Sequence, residues 1–371
     1  MTQYEFICNE CFQHYEPDSK TLRCRTCRGT LSIKYKNMED KSASLPCGPE
    51  LTMPMPLPSI SHYISLGEGK TPTVRMQKIS DQLGIEIFAK LEFMNPTGSF
   101  KDRGTAMMIS AIKLMGISEI VEDSSGNAGA SLAAYASRAG IKAHIFAPSS
   151  TPSPKLNQIK IYDSILHTVD GTRDETTRAA EEFVKENSLV YASHNLSPYF
   201  VEGTKTFGYE MFNDLEPFPD NIVVPVGNGS LFLGIWKSIT EQKNRGVIKN
   251  IPKLHCIQAL NVNPIASQTP WDKSRISTTV AGGIAVGSPP RKLEVLKVIK
   301  DSGGYSDSVT EESIMKWQIK LAKHEGVFCE LTSAAAFAGL ENLVRKKEIG
   351  KGERVLVPVT GSGLKEAFPT N

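Results

Sequence analysis

Three times along this chain an apolar strand runs into a glycine-bearing turn that opens a helix. The first case is Glu86–Glu92, EIFAKLE, feeding the stretch Asn95–Gly104, NPTGSFKDRG. The second is Ile120-Val121 before Ser124-Ser125-Gly126-Asn127-Ala128-Gly129-Ala130 and an alanine-rich helix to Ala139. The third is Asn221–Val226, NIVVPV, before Gly227-Asn228-Gly229-Ser230 and an apolar helix to Ile239. Strand and helix alternating through short loops predict a parallel sheet with crossover helices. Further strands are expected at Ala143–Ala147, Leu254–Ala259 and Arg354–Val359, with helices at Lys155–Ile161 and Thr177–Glu186.

The first turn carries chemistry. Asn95-Pro96 and Thr97-Gly98 are turn-forming pairs. Beyond Arg103, Met108, Ala111, Ile112 and Met115 repeat at the spacing of one helix face, which puts Lys101 near a helix N-terminus. A cation there faces the positive end of the helix dipole, so the neutral, nucleophilic amine is favoured. Such an amine condenses with aldehydes. A surface lysine after a turn is the commoner meaning of an isolated example.

Composition narrows the setting. A chain of 371 residues can bury a large core and holds more than one domain. A net charge of +2 gives no reason to expect nucleic acid or an anionic membrane as partner. No apolar run is long enough to span a bilayer, and MTQYEFICNE does not read as a secretory leader. A cytoplasmic enzyme is the expectation.

The cysteines agree with a reducing compartment. Four of the seven form Cys8-Asn9-Glu10-Cys11 and Cys24-Arg25-Thr26-Cys27, with twelve residues between the pairs. Two such knuckles suit a tetrahedral zinc site with four thiolate ligands and no open position. A redox pair would need a surrounding βαβ unit, which residues 1–35 lack. Residues 1–35 therefore read as a zinc ribbon that needs its metal to fold, and residues 36–65, rich in proline, as an extended linker. The catalytic body would run over 66–371, with a smaller subdomain at about 105–210.

The pair NPTGSFKDRG and SSGNAGAS resembles the threonine synthase branch of the fold-type II enzymes that use pyridoxal 5'-phosphate (PLP). GEGKTP at 67–72, ELTSAAA at 330–336 and TGSGLK at 360–365 are similar to further family segments. The resemblance implies an α/β fold of two three-layer α/β/α open-sheet subdomains after the small zinc ribbon. It implies Lys101 as the amine that joins the cofactor and Asn127 as donor to the ring 3-oxygen. Gly227, Asn228, Gly229 and Ser230 would form the phosphate nest, and Thr360 would meet the pyridine nitrogen. Ser124 and Ser125, with the helix start beside them, would hold the substrate carboxylate. A homodimer acting on a small amino acid, phosphorylated or not, is the implied assembly and substrate class.

Substrate is where the pattern changes. Phe200, in ASHNLSPYFVEGTKT (192–206), stands where the family pattern expects a phosphate-binding arginine. GGIAVGSP at 282–289 is more similar to the dehydratase loop. His194, Lys205 and Arg291 are candidate replacements for the anion contact, although a lone loop histidine is more often a packed or surface residue. The reaction implied first is O-phosphohomoserine and water to threonine and phosphate. The alternative is a dehydratase or β-replacement enzyme, such as a cysteate synthase, acting on serine, threonine or O-phosphoserine. A non-catalytic binding protein on the same fold would have no use for Lys101 and Asn127 together.

Overall fold

A computed structural model describes residues 3–37, 44–47, 51–151, 153–267, 271–272 and 278–366. The chain forms two compact units: Met1–Glu68 with Lys101–Thr206, and Gly69–Phe100 with Phe207–Asn371.

The first unit begins with a three-stranded antiparallel ribbon in which Tyr4–Cys8 lies between His14–Tyr15 and Leu31–Tyr35. Tyr4, Phe6, Leu31 and Ile33 alternate inward, so a short ribbon has one apolar face. Tyr4 and Phe6 meet Tyr199 edge-on, at ring separations of 6.1 and 5.4 Å. Within the proline-rich stretch, Ser44–Pro46 and Thr52–Pro54 pair as a two-stranded antiparallel sheet. Proline is accommodated because each strand has an edge that needs no donor.

The same unit holds a four-stranded parallel sheet in the order Ile165–Val169, Lys142–Pro148, Glu119–Glu122, Val190–Tyr191. The central strands are where the sequence pattern put them. The Ile165–Val169 and Val190–Tyr191 edges lacked a strong pattern; Ile165 and Thr168 are exposed. Helices Lys101–Leu114 and Asn127–Ala139 pack together in this unit. The first is buried on nearly every side from Asp102 to Ile112, wider than the single apolar face expected. It approaches helix Pro198–Asp214 closely: a Cβ on Gly203 would lie 2.1 Å from the Arg103 carbonyl oxygen. Only hydrogen side chains allow that crossing.

The second unit contains a six-stranded sheet ordered Ser306–Val309, Lys253–Ala259, Asn221–Pro225, Arg354–Pro358, Glu86–Lys90, Thr73–Arg75. All neighbours are parallel except the last pair, in which Thr73–Arg75 closes the edge antiparallel to Glu86–Lys90. Unbroken apolar runs such as Ile222-Val223-Val224 suit strands covered on both faces. One core gathers Ile87, Val223, Ile257, Trp317, Phe337 and Val357 beneath helices Glu311–Glu325 and Leu331–Arg345.

Candidate active site

In the first unit, Lys101 is the first residue of its helix, seven places before Met108, where the apolar spacing begins. Its ammonium lies 5.5 Å from the centroid of the Phe200 ring. Phe200 is fully buried, and that ring fills the space beside Gly104: a Cβ there would sit 2.5 Å from Phe200 Cε1. His194 meets the same ring edge-on at 5.9 Å. The residue that replaces the expected arginine is thus a wall of the lysine's surroundings.

The turn Ser124-Ser125-Gly126 leads into helix Asn127–Ala139, and no side chain caps that helix start. Gly129 makes the turn possible, since a Cβ there would overlap the Ser124 carbonyl oxygen at 1.8 Å. Ser124 is buried, whereas Ser125 and Asn127 are partly exposed. Hydroxyls and uncapped N–H groups on one turn form the kind of surface that holds a carboxylate.

Neither Lys205 nor Arg291 is an available cation. In the first unit, Lys205 Nζ pairs with Glu202 Oε2 at 2.7 Å, both fully buried, and lies 5.0 Å from the Tyr35 ring centroid. Tyr35 also donates to Glu202 at 2.8 Å. In the second unit, Arg291 pairs with Glu294 at 3.0 Å.

In the second unit, Gly229 caps helix Ser230–Asn244 with φ +93°, a conformation that favours glycine, and no side chain caps the helix. A Cβ on Gly227 would meet the Gly283 carbonyl oxygen at 2.9 Å. The glycine turn therefore lies against the Gly282–Val286 loop, and Gly283 N–H donates to Thr332 Oγ1 at 3.0 Å. Next to Thr332, Ser333 shares a hydrogen bond with Thr360, Oγ to Oγ1, at 2.8 Å. Thr360 donates in turn to Glu330 Oε1 at 2.7 Å. Sequence reasoning gave Glu330 no part, but its carboxylate orients the Thr360 hydroxyl. The SAAA resemblance marked the segment and not this contact.

The Thr360 turn also holds the residues just before Lys101. Ser99 and Gly361 form a β-bridge, Phe100 N–H donates to the Thr360 carbonyl at 3.0 Å, and Lys365 Nζ donates to the Thr97 carbonyl at 2.9 Å. NPTGSF and TGSGLK, 260 residues apart in sequence, are thus one structural element of this unit.

Each unit carries groups that fit part of a phosphorylated pyridine aldehyde: an amine at a helix start in the first, and a glycine turn opening a helix with no side-chain cap and a buried hydroxyl pair in the second. The four ribbon cysteines fit a metal. Their Sγ atoms all lie within 4.8 Å of one another, and a tetrahedral Zn–S₄ site has sulfur separations of about 3.8 Å.

The chain belongs to the pyridoxal-phosphate dependent enzyme family, whose pattern matches residues 64–361. Within that family it is a threonine synthase-like carbon–oxygen lyase. Threonine synthase of Methanocaldococcus jannaschii is 34% identical over 97% of this chain and 92% of its own length. That of Methanosarcina acetivorans is 32% identical over 98% and 92%. Among solved structures, O-ureido-L-serine synthase matches with a TM-score of 0.69 at 20% identity, covering 80% of this chain and 90% of its own. Maize serine racemase matches at 0.69 and 21%, covering 81% and 90%. At such identities these last two bear on the fold alone. No helix among the described residues is long and apolar enough to cross a membrane.

Proposed function

We propose that this chain carries out elimination and replacement at the side chain of a small amino acid, with O-phosphohomoserine and water to threonine and phosphate as the leading form. The observation that carries the reading is the joining of the lysine turn to the Thr360 turn through Phe100 and Ser99. That joining gives the two motifs a common purpose. The two archaeal threonine synthases, aligned over almost the whole chain, support the substrate.

When bound, PLP supplies an electron sink for the bonds at the substrate α-carbon. The Lys101 amine would hold it and would also take the proton from the substrate α-carbon and return protons along the side chain. Ser124, Ser125 and the start of helix Asn127–Ala139 orient the α-carboxylate. Asn127 would donate to the ring oxygen, and the amides of Gly227, Asn228, Gly229 and Ser230 would hold the cofactor phosphate. The Thr360 hydroxyl, oriented by Glu330 and Ser333, would meet the ring nitrogen.

One observation favours a second reading. Phe200 is apolar and buried, and Lys205 and Arg291 are each paired with a carboxylate. A dianionic phosphate prefers an unengaged guanidinium or ammonium. A substrate with an uncharged leaving group, serine or threonine, suits this lining better, and the reaction is then dehydration or β-replacement. The two readings separate on a substrate panel of O-phosphohomoserine, O-phosphoserine, threonine and serine. Phosphate, threonine and 2-oxoacid are measured after PLP saturation. Threonine and phosphate from O-phosphohomoserine support the first; 2-oxoacid from serine or threonine alone supports the second.

We further propose that Cys8, Cys11, Cys24 and Cys27 hold one structural Zn2+, and that the enzyme works as a cytoplasmic homodimer. The sulfur cluster supports the metal. The family resemblance supports the dimer, and the free cysteines support the compartment.

A further inference from the structure

Two buried groups beside Lys101 have no part in the scheme above. Glu122 ends strand Glu119–Glu122 with no exposed surface. Its carboxylate accepts the Nδ1–H of His194 at 2.9 Å and the His194 backbone N–H at 3.2 Å. A third donor is the Asp123 N–H at 3.2 Å. This grip places the imidazole proton on Nδ1 and leaves Nε2 as the basic nitrogen. No described residue hydrogen-bonds to Nε2. The imidazole is 4% exposed, and its ring and the Lys101 ammonium both lie against Phe200.

The surroundings allow one proton to be held or released here. Burial pushes the Glu122 carboxyl up to about 7, opposed by hydrogen bonds from Asp123 and His194 and by the charge of Lys101. Burial holds His194 well below the usual histidine range, helped by Lys101 and Arg173 and opposed by Asp123. The Asp123 carboxylate accepts from Thr177 and Tyr191, while its backbone N–H donates to Glu122. Both shifts favour the uncharged forms of Glu122 and His194, so His194 rests as an unprotonated base. Lys205 is engaged by Glu202, so a proton from the His194–Glu122 pair can neutralise a leaving oxygen in this lining.

We propose that Glu122 and His194 are the acid–base pair for the oxygen at the substrate β-carbon. As water adds, its lone pair forms the C–O bond, the carbon–carbon π pair moves toward the α-carbon, and the water O–H proton passes to His194 Nε2. Glu122 balances the imidazolium. In the reverse sense the C–O bond breaks with its electron pair on oxygen, and Nε2 gives the proton that lets hydroxyl leave as water. Lys101 serves carbon and His194 serves oxygen; Glu122 is a positioning residue. The proposal rests on the elimination and replacement reading and holds for either substrate class.

The test uses His194→Gln and Glu122→Gln as PLP-saturated full chains. Four readouts are needed: PLP affinity, solvent-deuterium exchange at the substrate α-carbon, turnover against pH, and the ¹⁵N shifts of His194 in the apoprotein. Wild-type apoprotein should show the Nδ1–H tautomer between pH 6 and 8, and Glu122→Gln should lose that preference. Both variants should keep PLP affinity and α-exchange within a few fold, lower turnover on the order of 10²-fold, and lose the pH limb near neutrality. Glu122→Asp should recover part of the loss. Turnover and pH profile unchanged in His194→Gln would overturn the proposal. So would α-exchange that falls in step with turnover, because the role would then be structural. Wild-type exchange without gain or loss of a β-oxygen, on any substrate of the panel, would instead sink the elimination and replacement reading itself.

Discussion

Gly104→Ala should destabilise this protein, against the usual sign for a helix interior. Gly104 lies in helix Lys101–Leu114, where alanine is normally favoured by about 1 kcal/mol. Here the new Cβ would stand 2.5 Å from Phe200 Cε1, and close to Cδ1 and Cζ of the same ring. Carbon atoms pack at about 3.5–4.0 Å, so the ring must retreat by roughly 1 Å. Phe200 is fully buried and cannot move without disturbing Lys101 and His194. Overpacking of this kind costs about 1–3 kcal/mol, which offsets the propensity gain and leaves a net loss of up to about 2 kcal/mol. A double-mutant cycle isolates the cause. Phe200→Ala alone should cost about 3–5 kcal/mol. In that background Gly104→Ala should become neutral or stabilising by up to about 1 kcal/mol, a favourable coupling of at least about 1 kcal/mol. Urea unfolding of the four proteins gives the numbers. Additive effects, or stabilisation by Gly104→Ala in the wild-type background, would refute the packing argument.

Three further outcomes follow from the same contacts. His255 is buried, its Nε2–H donates to Asn221 Oδ1 at 3.0 Å, and its Nδ1 accepts the Tyr305 N–H at 3.1 Å. Burial, with a smaller push from Lys253 against Glu353, lowers its pKa to about 4. A histidine depressed on folding binds its proton more readily when unfolded. Its stabilisation is therefore complete above the unfolded value of about 6.5 and is lost as pH falls toward 4. That loss is on the order of 3 kcal/mol, and His255→Gln should remove this part of the pH dependence in denaturation series. Exhaustive chelation, or Cys24→Ser, should release one zinc per chain by elemental analysis. Melting of the ribbon should accompany it, seen as loss of amide protection over Tyr4–Cys8 and Leu31–Tyr35. Gly129→Ala should push the Ser124 carbonyl off its place and raise KM at least about tenfold, with a smaller effect on PLP affinity.

What the sequence disclosed and what it hid divide along physical lines. Strands such as Asn221–Pro225 and Arg354–Pro358 carry β-branched apolar runs, and Lys101 and the four cysteines sit in local patterns whose spacing is itself the signal. Helix Pro198–Asp214 was harder to see because Gly203 and Gly208 interrupt its propensity. They are there for close packing: a Cβ on Gly208 would lie 1.7 Å from Ser238 Oγ. Contacts between distant residues leave no local trace. Glu122 and His194 are 72 positions apart, and a single histidine in a loop carries no pattern until its partner is seen. The exposed strand Ile165–Val169 had weak alternation because His167, although in a strand, stacks on Phe146 and not on an aliphatic core. The replacement of the expected arginine by Phe200 was visible at once. Its consequence for Lys101 required the fold.

The most direct test of the whole account is to load the purified chain with PLP, reduce it with borohydride, and locate the modified residue by peptide mass spectrometry. The phosphopyridoxyl group should be found on Lys101, in stoichiometric amount, with Lys101→Ala unlabelled and inactive. Labelling at another lysine, or a Lys101→Ala protein that keeps full turnover, would contradict it.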